Sequence, residues 1–339
     1  MATLTQDQNA QNARAAAQAG TWIPMVSGGT PRWNAGSALL TSGIALVAGG
    51  EATPTEVLDS SEAYYPEAGA WTPTGNLQMA RKLHTVTLLP NGKVLVVGGT
   101  TRVGKVLDSA ELYEAVTGTW TSTGHLGEAR QAHTATLLAD GTVLVVGGVT
   151  TCVLSSAEIY NPATGAWTST GSMGEERWNH TATLLRDGRV LVAGGLCNNR
   201  LPSAEIYNPA TGTWASAGNM GNARDSHTAT LLQDGKVLVA GGCRGGVGNY
   251  TEALSGSEIY DPVTGTWTPT GDLGTGRYFH TATLLLNGKV LVAGGRTGID
   301  PGRGQDNTSS TASAEIYDPL QKTWTPIGDL HMARFSHTA

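Results

Sequence analysis

The stretch "HTATLLLNGKVLVAGG", residues 280–295, decides the fold. Its first half alternates Thr with apolar residues, its second is the apolar run Val290 to Ala293, and Asn287-Gly288 stands between them. Asn-Gly and Asp-Gly readily supply the positive φ values of a two-residue type I′ turn, so the stretch is predicted to be a β-hairpin closed by Gly294-Gly295. The chain repeats it. Doublets also occur at Gly49-Gly50, Gly98-Gly99, Gly147-Gly148, Gly194-Gly195 and Gly241-Gly242, at intervals of 47 to 53 residues, with turn dipeptides at Asn91-Gly92, Asp140-Gly141, Asp187-Gly188 and Asp234-Gly235. After each doublet come a loop, then "SAEIY" or a close variant, then a turn and a Trp-bearing strand, as in "NPATGTW".

Each unit is therefore four antiparallel strands, called a, b, c and d. A lone unit of this size cannot bury both faces, and stacking units around an axis solves that problem. Period-2 patterning and hairpin turns exclude a helical solenoid. The period near 50, the Gly-Gly doublet and the spaced Tyr and Trp resemble the kelch repeat over roughly residues 20 to 339. The predicted fold class is all-β, a propeller of six four-stranded blades, with seven blades and one incomplete as the alternative. An N-terminal polar helix is expected over residues 1–19 and the propeller over 20–339.

The termini carry two further pieces. Trp22 to Arg32 has the same spacing as Trp324 to Arg334, so the two are copies of one repeat segment and are expected to compete for one slot in a six-bladed ring. The surplus copy is expected to pack outside the ring, to help build a partial seventh blade, or to pair in a partner molecule, and exchange between chains would give a homodimer.

Composition narrows the function classes. A net charge of −6 gives no basic footprint for nucleic acid, and no apolar run is long enough to span a bilayer as a helix. The first residues lack the basic and apolar regions of a signal peptide, which favours a cytoplasmic protein. Cys152, Cys197 and Cys243 show no CxxC-type spacing and are expected to be unpaired thiols.

Repetition also separates scaffold from site. The frame R-x-x-H recurs at Arg81/His84, Arg130/His133, Arg177/His180, Arg224/His227, Arg277/His280 and Arg334/His337, and the first copy has Arg32 with Ala35 in place of histidine. Groups present in every copy are expected to brace the strands. The two x positions differ from blade to blade, and they hold five of the seven aromatics that the repeat does not account for. Each x pair opens the innermost strand, so all of them converge on one mouth of the central channel, beside the b–c loops. The expected ligand-binding residues are Trp33, Asn34, Lys82, Gln131, Trp178, Asn179, Asp225, Tyr278, Phe279 and Phe335, facing a peptide, glycan or small molecule.

No GxSxG, HExxH, phosphate loop or Rossmann pattern marks a reaction. A more distant resemblance, in the R-x-x-H and "DGRV…GG" frame, is to copper-radical oxidases of the galactose oxidase type. That family has Tyr directly before a channel histidine as a copper ligand. Here Leu83, Ala132, Asn179, Ser226, Phe279 and Ser336 stand there, so no cofactor is expected. The alternative is an enzyme, either with a metal held by some of His84, His133, His180, His227, His280 and His337, or using Asp225 for acid/base chemistry. A structural scaffold is the third reading.

Overall fold

Strands a and b of each repeat pair antiparallel, for example Thr134–Leu137 with Val143–Val146. The turn between them departs from the expected type I′ geometry. Leu138 N–H and Gly141 N–H close a three-residue loop, and only the glycine takes a positive φ, 86° at Gly141. The physical reason lies in the residue before it. Asp140 Oδ1 accepts from Thr142 N–H at 3.0 Å, and the same contact is made by Asn91, Asp187, Asp234 and Asn287. This side-chain turn keeps the Asn or Asp at negative φ and favours a type I turn with a glycine bulge.

The computed structural model describes Trp22 and residues 29–245, 251–300 and 309–338; the expected helix over 1–19 lies outside them. Among the described residues there is no helix. Six four-stranded sheets each run a-b-c-d from inside to outside, from Gly36–Leu39, Ala45–Ala48, Ser61–Tyr65 and Ala70–Thr74 in blade 1 to Thr281–Leu284, Val290–Ala293, Ala314–Asp318 and Thr323–Ile327 in blade 6. They form a β-propeller, as the repeat predicts.

Neighbouring blades share their cores. Leu89, Leu95 and Ala110 of blade 2 pack on Val143, Val145 and Tyr160 of blade 3, and strand b is buried on both faces. Burying each such Val or Leu contributes about 1.5–3 kcal/mol, which makes these junctions the main store of stability. On the outer strands, Tyr and Trp pair across the sheet in every blade, with ring centroids 4.9 to 5.3 Å apart. The indole N–H then crosses to the preceding blade, as from Trp167 to the Gly124 carbonyl at 2.9 Å.

The repeated arginine is a buried brace. Arg130 is fully buried and donates to the carbonyls of Gly147 and Ser156 and to Glu158, with the ion pair at 2.8 Å. Glu158 also accepts from Gly127 N–H, so one carboxylate fastens the linker between blades 2 and 3 onto strand c. The same pair recurs as Arg32–Glu62, Arg81–Glu111, Arg177–Glu205, Arg224–Glu258 and Arg277–Glu315. The doublet beside it must be glycine for two reasons. Gly147 and Gly148 have φ values of 61° and 94°, and a Cβ on Gly147 would lie 2.5 Å from the Arg177 carbonyl oxygen of the next blade.

At the centre, the residue before each histidine, and before Ala35 in the first copy, has a positive φ although none is glycine: Asn34, Leu83, Ala132, Asn179, Ser226, Phe279 and Ser336 lie between 47° and 55°. Each donates its N–H to the carbonyl of its counterpart in the preceding repeat, from Leu83 to Asn34 through to Ser336 to Phe279, and Asn34 closes the circle by donating to Ser336 at 3.1 Å. Six blades therefore surround a ring of seven positions.

This bears on where the terminal copies sit. Ser336 occupies the seventh ring position, while Trp22 donates its indole N–H to the Gly328 carbonyl at 2.6 Å, as the Trp of a following blade does elsewhere. Trp324 sits in blade 6. The Trp22 and Trp324 indoles therefore occupy different places.

Arg130→Ala leaves Glu158 buried without its partner and is expected to cost about 3–5 kcal/mol in urea unfolding. Arg334→Ala, at an exposed copy of the same position, is expected to stay within about 0.5 kcal/mol of the parent. Equal losses would show that the ion pairs are not what the repeat preserves.

Candidate functional site

Strand a starts and strand b ends at the same face of the ring, so the x residues meet the b–c loops there, as expected. Backbone bridges join Trp33 to Glu51, Lys82 to Thr100, Gln131 to Val149, Trp178 to Leu196, Asp225 to Cys243 and Tyr278 to Arg296. The two x positions form two tiers. The second position, with Asn34, Asn179 and Phe279 among its members, lines the channel mouth together with the histidines, around a concavity of ≈ 300 Å³. The first position, with Trp33, Lys82, Gln131, Trp178, Asp225, Tyr278 and Phe335, stands further out.

The outer tier includes two acidic anchors. Glu51, 5% exposed, accepts from Asn34 Nδ2 at 2.9 Å and pairs with the Lys82 ammonium. Asp225, 4% exposed, is held by Arg200 Nε at 2.8 Å, by the Ser226 hydroxyl at 2.8 Å and by the Cys243 thiol at 3.2 Å. Oδ1 takes both hydrogen bonds and Oδ2 faces Arg200 as an ion pair, so Asp225 ties the loops of blades 4 and 5 together. Burial first, then the Asp225 charge, pushes the Cys243 thiol far above its ordinary range, which leaves it an inert donor. Cys152, Cys197 and Cys243 are all free thiols, and they lie at increasing depth from exposed to buried.

A third cluster is aromatic. Tyr278 and Phe279 sit 5.3 Å apart, and the Arg296 guanidinium lies over the Phe335 ring at 4.4 Å. Tyr278 is itself buried, while Phe279, Phe335, Trp33 and Trp178 are half-buried with part of each ring open to solvent. Such faces attract cations and other rings. A larger groove of ≈ 720 Å³ lies at the side of blade 4, lined by Glu175, Ser203 and Trp214. Its Ser203 hydroxyl donates to Glu175 beside the brace, and the groove gathers none of the variable x residues.

The histidines below the mouth tie one blade to the next. His180 Nε2 and the Thr134 hydroxyl are hydrogen-bonded at 2.9 Å, and His133, His227, His280 and His337 pair likewise with Thr85, Thr181, Thr228 and Thr281. His84 has no such hydroxyl, because Gly36 stands where the threonine would be. Burial, and next the nearby arginine charge, hold His84, His180 and His280 down to about 3 and His337 to about 4, with His133 and His227 also well below the ordinary value. Five of the six imidazoles already use Nε2 within the protein, and no tyrosine stands beside them in the sequence.

Sequence reasoning located the arginines and histidines but passed over Glu62, Glu111, Glu158, Glu205, Glu258 and Glu315. The signal was present, for every copy of strand c carries one Glu followed by Ala, Leu or Ile. A charge repeated inside a buried strand implies a buried counter-charge.

Comparison with known proteins agrees with this architecture, which is that of a kelch-type propeller. The KLHDC2/KLHL20/DRC7 Kelch-repeats domain matches residues 35–242, and the Kelch motif matches residues 226–274 and 277–331. The chain belongs to the kelch-repeat family. The F-box/kelch-repeat protein SKIP30 of Arabidopsis thaliana is 38% identical over 77 residues, a match that spans 23% of this chain and 19% of that protein. Among solved structures, YjhT superposes with a TM-score of 0.70 at 14% identity, covering 90% of this chain and 99% of that one. A fungal alcohol oxidase of the AA5 family in complex with copper superposes with a TM-score of 0.73 at 19% identity, covering 93% and 69%. At these identities the two structures share the fold with this chain.

The depressed histidines make stability depend on pH in a defined direction. Between the ordinary imidazole value of 6.5 and about 3, the unfolded chain binds protons that folded His180 and His280 refuse. Stability is thus fully present above 6.5 and is lost as the pH falls through that window. Urea unfolding carried from neutral pH to about pH 4.5 is expected to show this loss, with a shallower slope in His180→Asn. A flat profile would mean that the imidazoles are solvated.

Proposed function

We propose that this chain is a protein-interaction module that receives a polypeptide segment across the mouth face. Kelch β-propellers commonly serve as interaction scaffolds. The observation that carries the reading is a division of labour on this face. Groups repeated in every blade satisfy the braces and the central ring, whereas the side chains that vary by blade gather at one mouth. That leaves Trp33, Trp178, Phe279 and Phe335 half-exposed beside Lys82, Gln131 and Arg296.

The form of the surface favours a peptide over a small molecule. The central concavity, ≈ 300 Å³ and open, is at the lower end of what ligand pockets enclose. The aromatic rings are spread around its rim, where an extended chain could lay successive side chains on them. Aromatic and Arg anchors of this kind dominate the energetics of protein interfaces.

A random peptide library displayed on phage and selected against the whole chain tests the reading. Two substitutions are tolerated by the scaffold, because other blades already carry the replacement: Trp178→Gln, as at Gln131, and Phe279→Ala, as at Ala132. Selected peptides are expected to lose at least ~10-fold in affinity to either variant, while thermal stability stays near the parent value. Val263→Asp, at a turn on the opposite face, should change nothing. Peptides that ignore Trp178→Gln and Phe279→Ala but are lost with Val263→Asp would contradict the proposal.

A further inference from the structure

Strand d of blade 4 departs from the repeat. It runs Thr213–Asn219, 7 residues, against 4 or 5 in the other blades. Ser203 of strand c pairs with Asn219 and Glu205 pairs with Ser216, so Ala217 and Gly218 both stand opposite Ala204. This is a β-bulge, and Gly218 supplies its positive φ of 74°. The bulge has a structural cost. In blades 1, 3 and 5 the matching glycine donates its N–H to the following blade, from Gly75 to Gly118, from Gly171 to Gly212 and from Gly271 to Lys322, whereas Gly218 donates to the Ser216 hydroxyl. Ala217 also replaces the threonine whose hydroxyl bonds the next blade's tyrosine, as Thr170 does Tyr207. Blade 4 thus gives up two ties to blade 5, and it brings Asn219 beside Ser203.

The bulge borders the groove of ≈ 720 Å³, a volume within the range of ligand sites. Alternate residues of a strand share a face, so Ser203 and Glu205 line the groove together with Trp214 and Ser216, on the side turned toward blade 3. The linker Gly171 to Glu175 forms the opposite wall. In blade 2 the same place is bridged, because the Gln78 side chain accepts from the Ser122 hydroxyl at 2.6 Å. In blade 4, Gly174 stands in the place of Gln78, and the groove stays open.

The lining has one sign of charge. Glu175 and Glu205 share the single guanidinium of Arg177, at 3.4 and 2.9 Å, and that guanidinium is itself fully buried. The Glu175 side chain is 53% exposed, so a surplus negative charge faces the groove. Among the described residues no basic side chain lines it. The Trp214 indole N–H is spent on the Gly171 carbonyl at 2.7 Å, which leaves the half-buried ring to act through its π-face.

We propose that this groove binds an organic cation, an alkylammonium or alkylguanidinium. Its charged head meets Glu175, with the Asn219 amide oxygen as a further acceptor, and its apolar stem lies along Trp214. A Lys or Arg side chain of a partner and a free amine share this chemistry. The site uses none of the variable residues of the mouth, so it stands whether or not a peptide binds there.

The Trp214 indole N–H resonance of the full-length chain, titrated with cations, tests the proposal. The probes are lysine and arginine capped at both ends, and the free amines cadaverine and agmatine; capped glutamine is the neutral control. A saturable shift is expected with a cation and none with capped glutamine, and added salt should weaken the binding. Binding of the capped residues marks a polypeptide as the source, and binding of the free amines alone marks a small molecule. Two substitutions are tolerated by the scaffold because other blades carry the replacement: Glu175→Asn, as at Asn222, and Gly174→Gln, as at Gln78. A Cβ on Gly174 would come no closer than 3.4 Å to Glu205. Each is expected to weaken binding at least ~10-fold, the first by removing the charge and the second by closing the groove, with Tm near the parent value. If none of the four cations gives a saturable shift, or if binding survives either substitution, the proposal is wrong.

Discussion

The structure depends on a circle of seven main-chain hydrogen bonds at the channel mouth. Each link asks a residue with a side chain to hold a positive φ, a conformation that costs roughly 1–2 kcal/mol outside glycine. The cost is met locally. The residue before each member of the circle is bridged to a b–c loop in six of the repeats, and the arginine before that is pinned to its glutamate in the same six. Strain at the centre is thus held by bonds one and two residues away, and the blades keep their angle around the axis.

A consequence for function follows from the use of the main chain. Because N–H and C=O groups close the circle, the side chains at those positions are free to be Asn, Leu, Ala, Ser or Phe. Variation there is compatible with a constant fold, and the mouth can acquire chemistry blade by blade. The histidines underneath are kept neutral by burial, and five of the six are hydrogen-bonded to a threonine hydroxyl and tie one blade to the next. The open face above them, with rings and cations at its rim, is where an interaction can be made specific.

The architecture was readable because the repeat writes each strand six times, and errors at single positions average out. The hairpins, the Gly-Gly ends, the buried Tyr-Trp pairs and the face on which the variable residues meet are all visible in "HTATLLLNGKVLVAGG" and its neighbours. Three things were not. The turn type turned on an Asn or Asp side chain bonding two residues on, which a dipeptide rule ignores. The glutamate of strand c was passed over although it recurs in every copy. The seventh ring position was invisible because main-chain atoms build it, and Leu83, Ala132 and Phe279 share no side-chain feature that would announce a common role. The partner of Asp225 was likewise unseen, because Arg200 comes from a loop one blade away.

Amide hydrogen exchange at the seven residues of the circle tests this account most directly. Asn34, Leu83, Ala132, Asn179, Ser226, Phe279 and Ser336 should exchange slowly and to a similar degree, with Asn34 and Ser336 as protected as the five within the continuous blades. Rapid exchange at Asn34 and Ser336 beside slow exchange at the rest would describe an open arc of six blades, and would contradict a closed ring as the constraint on which the fold and its mouth are built.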